Sequence, residues 1–271
     1  MSILTIGDDE LYYEDHGAGP TIVLAHGVGG NHASWFNQVE TLSRSYRVLT
    51  FDHRGFGRSS DVAGLGRSGF VPDLTALLDH LAIERAVLVG QSMGGGTCLS
   101  FAAAHPDRVA ALVLASTLHA VLEDAEVAPL MAVARDATRD LSQLDRVLDA
   151  GFRAANPAQA RLYAALASFN RTDRHGLVGE WPRPIPPEEI GAGKPVLFMA
   201  GLKDPIFPIA AIRAVQARTP GSFLVEFDSG HSVFFEQPAA FSDSLLSFLA
   251  ACGIRGTRRA AHSNAAGYVT P

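Results

Sequence analysis

Along this chain, short stretches made almost wholly of Val, Ile, Leu, Ala and Phe alternate with longer ones whose apolar residues recur every three or four positions. The first pattern reads as strands buried on both faces and the second as helices packed against them. Strands are expected at Ile3–Ile6, Leu11–Glu14, Thr21–Ala25, Arg47–Phe51, Ala86–Val89, Ala111–Ala115, Val196–Ala200 and Phe223–Phe227. Helical patterns fall around Ser34–Ser43, Val71–Leu81, Met93–Ala104, Ile209–Ala217 and Ala239–Ala251. Strands alternating with helices imply a mostly parallel sheet of about eight strands covered on both sides, an α/β fold. A tight GDD turn joins the first two strands, so that pair is expected to be antiparallel.

One interval breaks the alternation. Between Ser116 and Lys194 no strand pattern occurs; helical stretches run from about Ala128 to Phe169, followed by the proline-rich WPRPIPPEE. A structureless loop of that length would be unusual inside a compact domain. The expected organisation is therefore a core formed by 1–116 and 195–253, a helical cap insertion over 117–194, and a flexible polar tail over 254–271.

The bulk numbers exclude several classes. Hydrophobic residues make up 47% of the 271 and charged residues 18%, enough to build a large core. A formal charge of −6 argues against general attraction to nucleic acid or an anionic membrane. No apolar run is long enough to span a bilayer. The opening MSILTIGDDELYYEDH has no basic start, so no secretory signal is expected. Two distant cysteines, Cys98 and Cys252, suggest free thiols rather than a disulfide framework or a metal site. A cytoplasmic protein acting on a small molecule is the expectation, with a homo-oligomer left open.

Candidate chemistry centres on VLVGQSMGGG at 87–96. Gly90-Gln91-Ser92-Met93-Gly94 fits G-x-S-x-G, with a strand before it and a helix after it. A strand-to-helix turn that sharp strains the serine backbone and requires small residues two positions to either side. It would lift the Ser92 hydroxyl out at the strand's C-terminal edge. A serine needs a base, and His231 follows the last strand on a Gly-containing loop over the same edge. His32, His53, His119 and His175 are further pocket candidates; His16, His80, His105 and His262 read as solvent-facing. The carboxylate that orients such a base is expected to be Asp204, in GLKDPIFP just after a strand, with Asp228 as its rival. Donors for an oxyanion are expected in the backbone N–H groups of Met93 and of Val28, on the loop AHGVGGNHASW. His26 is read as a brace for that loop at the pocket's edge. Trp35, Phe152, Phe169 and Trp181 either line an acyl pocket or belong to the cap's own core.

AHGVGG, FDHRGFGRS, VGQSMGGG, GLKDPIFP and DSGHSVFFEQP, in this order, resemble the α/β-hydrolase fold family, in the branch of bacterial esterases, enol-lactonases, haloperoxidases and ring-cleavage-product hydrolases. The resemblance covers about Ile3 to Ala251. It implies that Asp52 and Arg54 are structural, that no cofactor or metal is used, and that the substrate has an apolar acyl or ring part. A serine at position 92 departs from the epoxide hydrolases and haloalkane dehalogenases, which carry aspartate there. Ser232 stands where carbon–carbon hydrolases usually carry tryptophan, and Met93 where cofactor-independent oxygenases tend to carry histidine. The resemblance thus implies a serine hydrolase of a small ester or lactone. Carbon–carbon bond hydrolysis, a lyase step, and a binding protein on a hydrolase scaffold remain as alternatives.

Overall fold

The computed structural model describes residues 2–191 and 193–257. Eight strands form one sheet: β1 Ser2–Ile6, β2 Asp9–Gly17, β3 Thr21–Ala25, β4 Arg47–Phe51, β5 Ala86–Gln91, β6 Val109–Ala115, β7 Val196–Gly201 and β8 Ser222–Phe227. Their spatial order is β1-β2-β4-β3-β5-β6-β7-β8. β2 pairs antiparallel with β1 and with β4, and the remaining neighbours are parallel. β2 runs longer than its apolar pattern suggested, because its polar half (Glu14 to Gly17) still pairs with β4.

The strand period of two divides the core cleanly. Val23, Leu88, Leu112 and Phe198 point into one buried cluster, and Ile22, Val87, Val113 and Met199 into the other. The first cluster is closed by three helices, α2 (Arg67–His80), α3 (Met93–Ala104) and α8 (Ile209–Arg218). The opposite face is closed by α1 (Phe36–Leu42), the short α9 (Val233–Glu236) and α10 (Pro238–Ala251). Both faces are covered, which is why the inner strands read as unbroken apolar runs.

Between β6 and β7 the chain forms α4 (Val127–Thr138), α5 (Gln143–Val147), α6 (Ala150–Ala155) and α7 (Pro157–Ala167). Ser142 and Asp149 cap α5 and α6 through side-chain oxygens that accept from Asp145 N and Phe152 N. The proline-rich return is anchored at Ile185, whose backbone exchanges 2.8 Å hydrogen bonds with Ala120 and Leu122. At the far end Thr257 N donates to Ser45 O at 2.8 Å, so the first residues after α10 are tied to the core. The rest of the tail, with His262, lies outside the described residues. Among the described residues no helix is long and apolar enough to cross a membrane.

Candidate active site

Parallel strands deliver their C-terminal ends to one edge, and the loops after β3, β5, β7 and β8 meet there. At the end of β5, Ser92 adopts φ 51° and ψ −121°, a left-handed conformation that a side chain rarely tolerates. Its N–H donates to Ala115 O at 3.0 Å and its carbonyl accepts from Gly95 N and Thr117 Oγ1, both at 2.8 Å. Two bonds to the end of β6 and the chain just after it, and one within the turn itself, thus hold the strained backbone. Gly94 is required beside it, since a Cβ there would run into the backbone carbonyl of Ala25.

His231 sits on the loop after β8 and is 2% exposed. Its Nδ1 lies 2.9 Å from Asp204 Oδ2, and its ring stacks on Phe207 with centroids 5.9 Å apart. Asp204 Oδ1 is occupied by the N–H groups of Ile206, at 2.8 Å, and Phe207, at 3.1 Å. One carboxylate oxygen is therefore fixed by backbone and the other is presented to the imidazole. Asp228, the rival carboxylate, points outward and pairs with Lys203 at 2.8 Å. The histidine loop is fastened from beneath by Glu236, which accepts from Gly230 N and Asp149 N, both at 3.0 Å. Burial pushes the Glu236 carboxyl up, and these two donors act against that shift.

Ser92 and His231 line the same cavity, of about 520 Å³. Among the described residues no direct hydrogen bond joins the Ser92 hydroxyl to the imidazole; such contacts commonly tighten only once a substrate is bound. The loop after β3 presses on the serine. A Cβ on Gly27 would fall 2.9 Å from Ser92 Cβ, so only glycine lets Val28 approach. Val28 lines the cavity, and Met93 opens α3, where the first N–H groups have no partner within the helix. Neither N–H is engaged by another backbone carbonyl among the described residues.

His26 does not line the cavity. It is 1% exposed and spans the loop base: Nδ1 contacts Gly27 O at 2.8 Å, and Nε2 accepts from His53 N at 3.0 Å. His53 is buried as well, and its Nε2 meets Thr97 Oγ1 at 2.9 Å. Burial lowers His26 to about 4 and His53 well below its ordinary value, so both are neutral at pH 7. His119 does line the cavity, and burial, with the charges of His231 and Arg67, lowers it to about 4. His32 is half-buried against Asp52, at 2.8 Å, and His175 is exposed. Asp52 and Arg54 are structural: Asp52 bonds His32 and Arg58 N, and Arg54 makes two bonds to Asp73 and one each to Asp9 and Asp61.

Three of the four aromatic pocket candidates lie elsewhere. Trp35 is fully buried against Phe234 and Phe241 beneath the histidine loop. Phe152 packs edge-on against Phe235, and Phe169 is 69% exposed. Of the four, Trp181 alone lines the cavity, together with Leu118, Met131, Val147, Tyr163 and Phe207, none of which sequence reasoning names as a pocket residue. Four arginines line it too: Arg67, Arg135, Arg146 and Arg174. No spacing rule marks such residues, because they come from separate segments, from α2 to the loop after β7, that meet only in the folded chain. Among the described residues no group of three or more His, Cys, Asp or Glu side chains is arranged to hold a metal ion.

Comparison with known proteins agrees with this architecture. A putative carbamate hydrolase, RutD, of Caulobacter sp. (strain K31) is 30% identical, covering 89% of this chain and 96% of its own. A thermophilic esterase from Thermogutta terrifontis superposes with a TM-score of 0.77 at 25% identity, covering 93% of this chain and 99% of that one. The enol-lactonase from Burkholderia xenovorans LB400 gives a TM-score of 0.75 at 29% identity, over 92% of this chain and 100% of that one. The family model of the alpha/beta hydrolase fold matches residues 20–238, and with the sheet order and strand-end loops described above, the chain is a member of that family.

Proposed function

We propose that this hydrolase cleaves a small carboxylic ester or lactone through an acyl-enzyme on Ser92. His231 takes the Ser92 proton as the hydroxyl attacks the carbonyl carbon. The N–H groups of Val28 and Met93 receive the developing oxyanion. His231 then protonates the departing alkoxide, and a water deprotonated by the same imidazole releases the acid and restores the serine. Asp204 keeps the proton on Nδ1, which leaves Nε2 free as the base, and stabilises the imidazolium. The segment 117–194 acts as a cap that walls the cavity. The observation that carries this reading is the buried His231–Asp204 pair sharing a cavity with a serine held at positive φ.

The RutD relative motivates a second reading, in which the same atoms cleave a carbamate. Short p-nitrophenyl esters assayed beside ethyl carbamate separate the two. Ester turnover abolished by Ser92→Ala, with Ser92 labelled by a fluorophosphonate, is the expected result. Ester turnover that survives Ser92→Ala would overturn the mechanism, and turnover of the carbamate alone would replace the substrate class.

A further inference from the structure

The charge of the cavity runs against that of the molecule. The chain carries a formal −6, yet four arginines face two glutamates, Glu123 and Glu180, around the cavity. Arg135 is matched at the outer wall by Glu123, at 2.7 Å. Arg67 gives its Nε to Gly179 O at 2.9 Å, and Arg174 gives Nη2 to Leu141 O at 3.1 Å; among the described residues neither meets a carboxylate. Arg146 is less satisfied still. Its Nε is buried with no acceptor, and among the described residues its guanidinium makes neither a hydrogen bond nor an ion pair. The adjacent Asp145 is engaged elsewhere, with Arg153 at 2.6 Å and with Ser142. Arg146 as a residue is half-buried, and it is the Nε donor that is withdrawn from water without an acceptor; an anion reaching that donor relieves the cost of leaving it unpaired.

The placement of Arg146 is fixed by backbone. Its N–H donates to Ser142 O at 3.1 Å. The next residue, Val147, accepts from Ser232 N at 3.0 Å, and Ser232 directly follows His231. The arginine is thus tethered to the loop that carries the base.

Resting on the ester or lactone reading above, we propose that Arg146, supported by Arg67 and Arg174, is a specificity-determining residue for a substrate that carries a free carboxylate remote from the bond cleaved. The planar guanidinium fork matches a carboxylate with two parallel N–H donors. Several unpaired positive charges in one concave site also raise the local concentration of an anion. Leu118, Met131, Val147 and Phe207 remain to receive the carbon chain between the two ends.

Monoethyl glutarate (anionic) and diethyl glutarate (neutral) test this as a matched pair, with acid release followed by indicator. The wild-type chain is expected to favour the monoester at least tenfold in kcat/KM, with the preference shrinking as salt is raised. Arg146→Gln should cut that ratio about tenfold, mainly through KM for the monoester, and Arg146→Lys should restore part of it. A wild-type ratio of one or less, or an unchanged ratio in Arg146→Gln, overturns the proposal. If neither ester is cleaved, p-nitrophenyl ester turnover decides the hydrolase reading separately, and glutarate binding by calorimetry decides the anion site. Binding lost in Arg146→Gln supports the proposal; equal or absent binding in both proteins overturns it.

Discussion

Replacing Asp204 by Asn removes one charge while keeping the shape, and the surrounding hydrogen bonds dictate what happens next. Two backbone N–H groups, of Ile206 and Phe207, already point at Oδ1. They will hold the asparagine carbonyl oxygen there, because an amide NH2 in that place would face two donors. The NH2 must then occupy the position of Oδ2, 2.9 Å from His231 Nδ1, and donate to it. His231 Nδ1 becomes an acceptor, so its proton moves to Nε2, the nitrogen proposed to accept the serine proton. The base is thereby blocked by its own tautomer. The imidazolium formed in the transition state also loses its counter-charge, in a site where the two side chains are 2% and 0% exposed and water screens little. In serine proteases that use a Ser-His-Asp triad, the same change lowers kcat by about 10⁴. A fall of about 10³ to 10⁴, or about 4–5.5 kcal/mol of barrier, is expected here. Steady-state hydrolysis of p-nitrophenyl acetate, beside a thermal melt showing that the variant is folded, measures it. Asp228→Asn, altering an exposed partner of Lys203, serves as the control. A folded Asp204→Asn that keeps a tenth of wild-type kcat would refute the argument.

Further outcomes follow from other parts of the structure. Gly94→Ala drives a methyl into the Ala25 carbonyl, which should cost about 2–3 kcal/mol and lower Tm by about 5–10 °C; an unchanged melt contradicts the packing described. Burial keeps His26 neutral with its pKa at about 4, whereas in the unfolded chain it titrates near 6.5. Its contribution is therefore whole above pH 6.5 and is lost as pH falls from there toward 4, by about 3 kcal/mol. His53 and His119 are lowered by burial too and lose stability in the same direction. Urea unfolding should therefore show a loss of at least about 2 kcal/mol between pH 7 and pH 4.5, and a smaller one contradicts the burial of these imidazoles. Arg54→Met leaves Asp73 and Asp9 facing each other in the interior without their cation. Removing one member of a buried ionic cluster should destabilise by about 3–5 kcal/mol in denaturant titration, and a loss under about 1 kcal/mol would show the cluster to be dispensable.

The sheet was legible from sequence for a physical reason. Strands such as β3, TIVLA, are buried at every position, so their composition announces them without a partner in view. Glycines at forced close approaches are equally local signals, and GQSMG could be read together with the strand and helix around it. The pocket walls have no such signature. Trp35, expected in an acyl pocket or in the cap's core, has as neighbours Phe234 and Phe241, some two hundred residues further along. Phe169 follows the end of α7 and faces solvent. Arg146 gives no clue in sequence, since its exceptional property is the lack of a partner, and partners are known only once the chain is folded. The short α9 escaped notice because four residues cannot display a helical period.

The bond from Ser232 N to Val147 O has a consequence for anyone who re-engineers this enzyme. On the proposed mechanism, selectivity and base geometry are not separable modules, because the stretch that would be swapped to change one is also a strut for the other. A chimera that imports the whole region between β6 and β7 from a relative must reproduce that single carbonyl, and the amide at Asp149 that meets Glu236, or the imidazole will lose its footing. Grafts ending before residue 142 leave both supports in place and should alter substrate choice with the catalytic apparatus undisturbed.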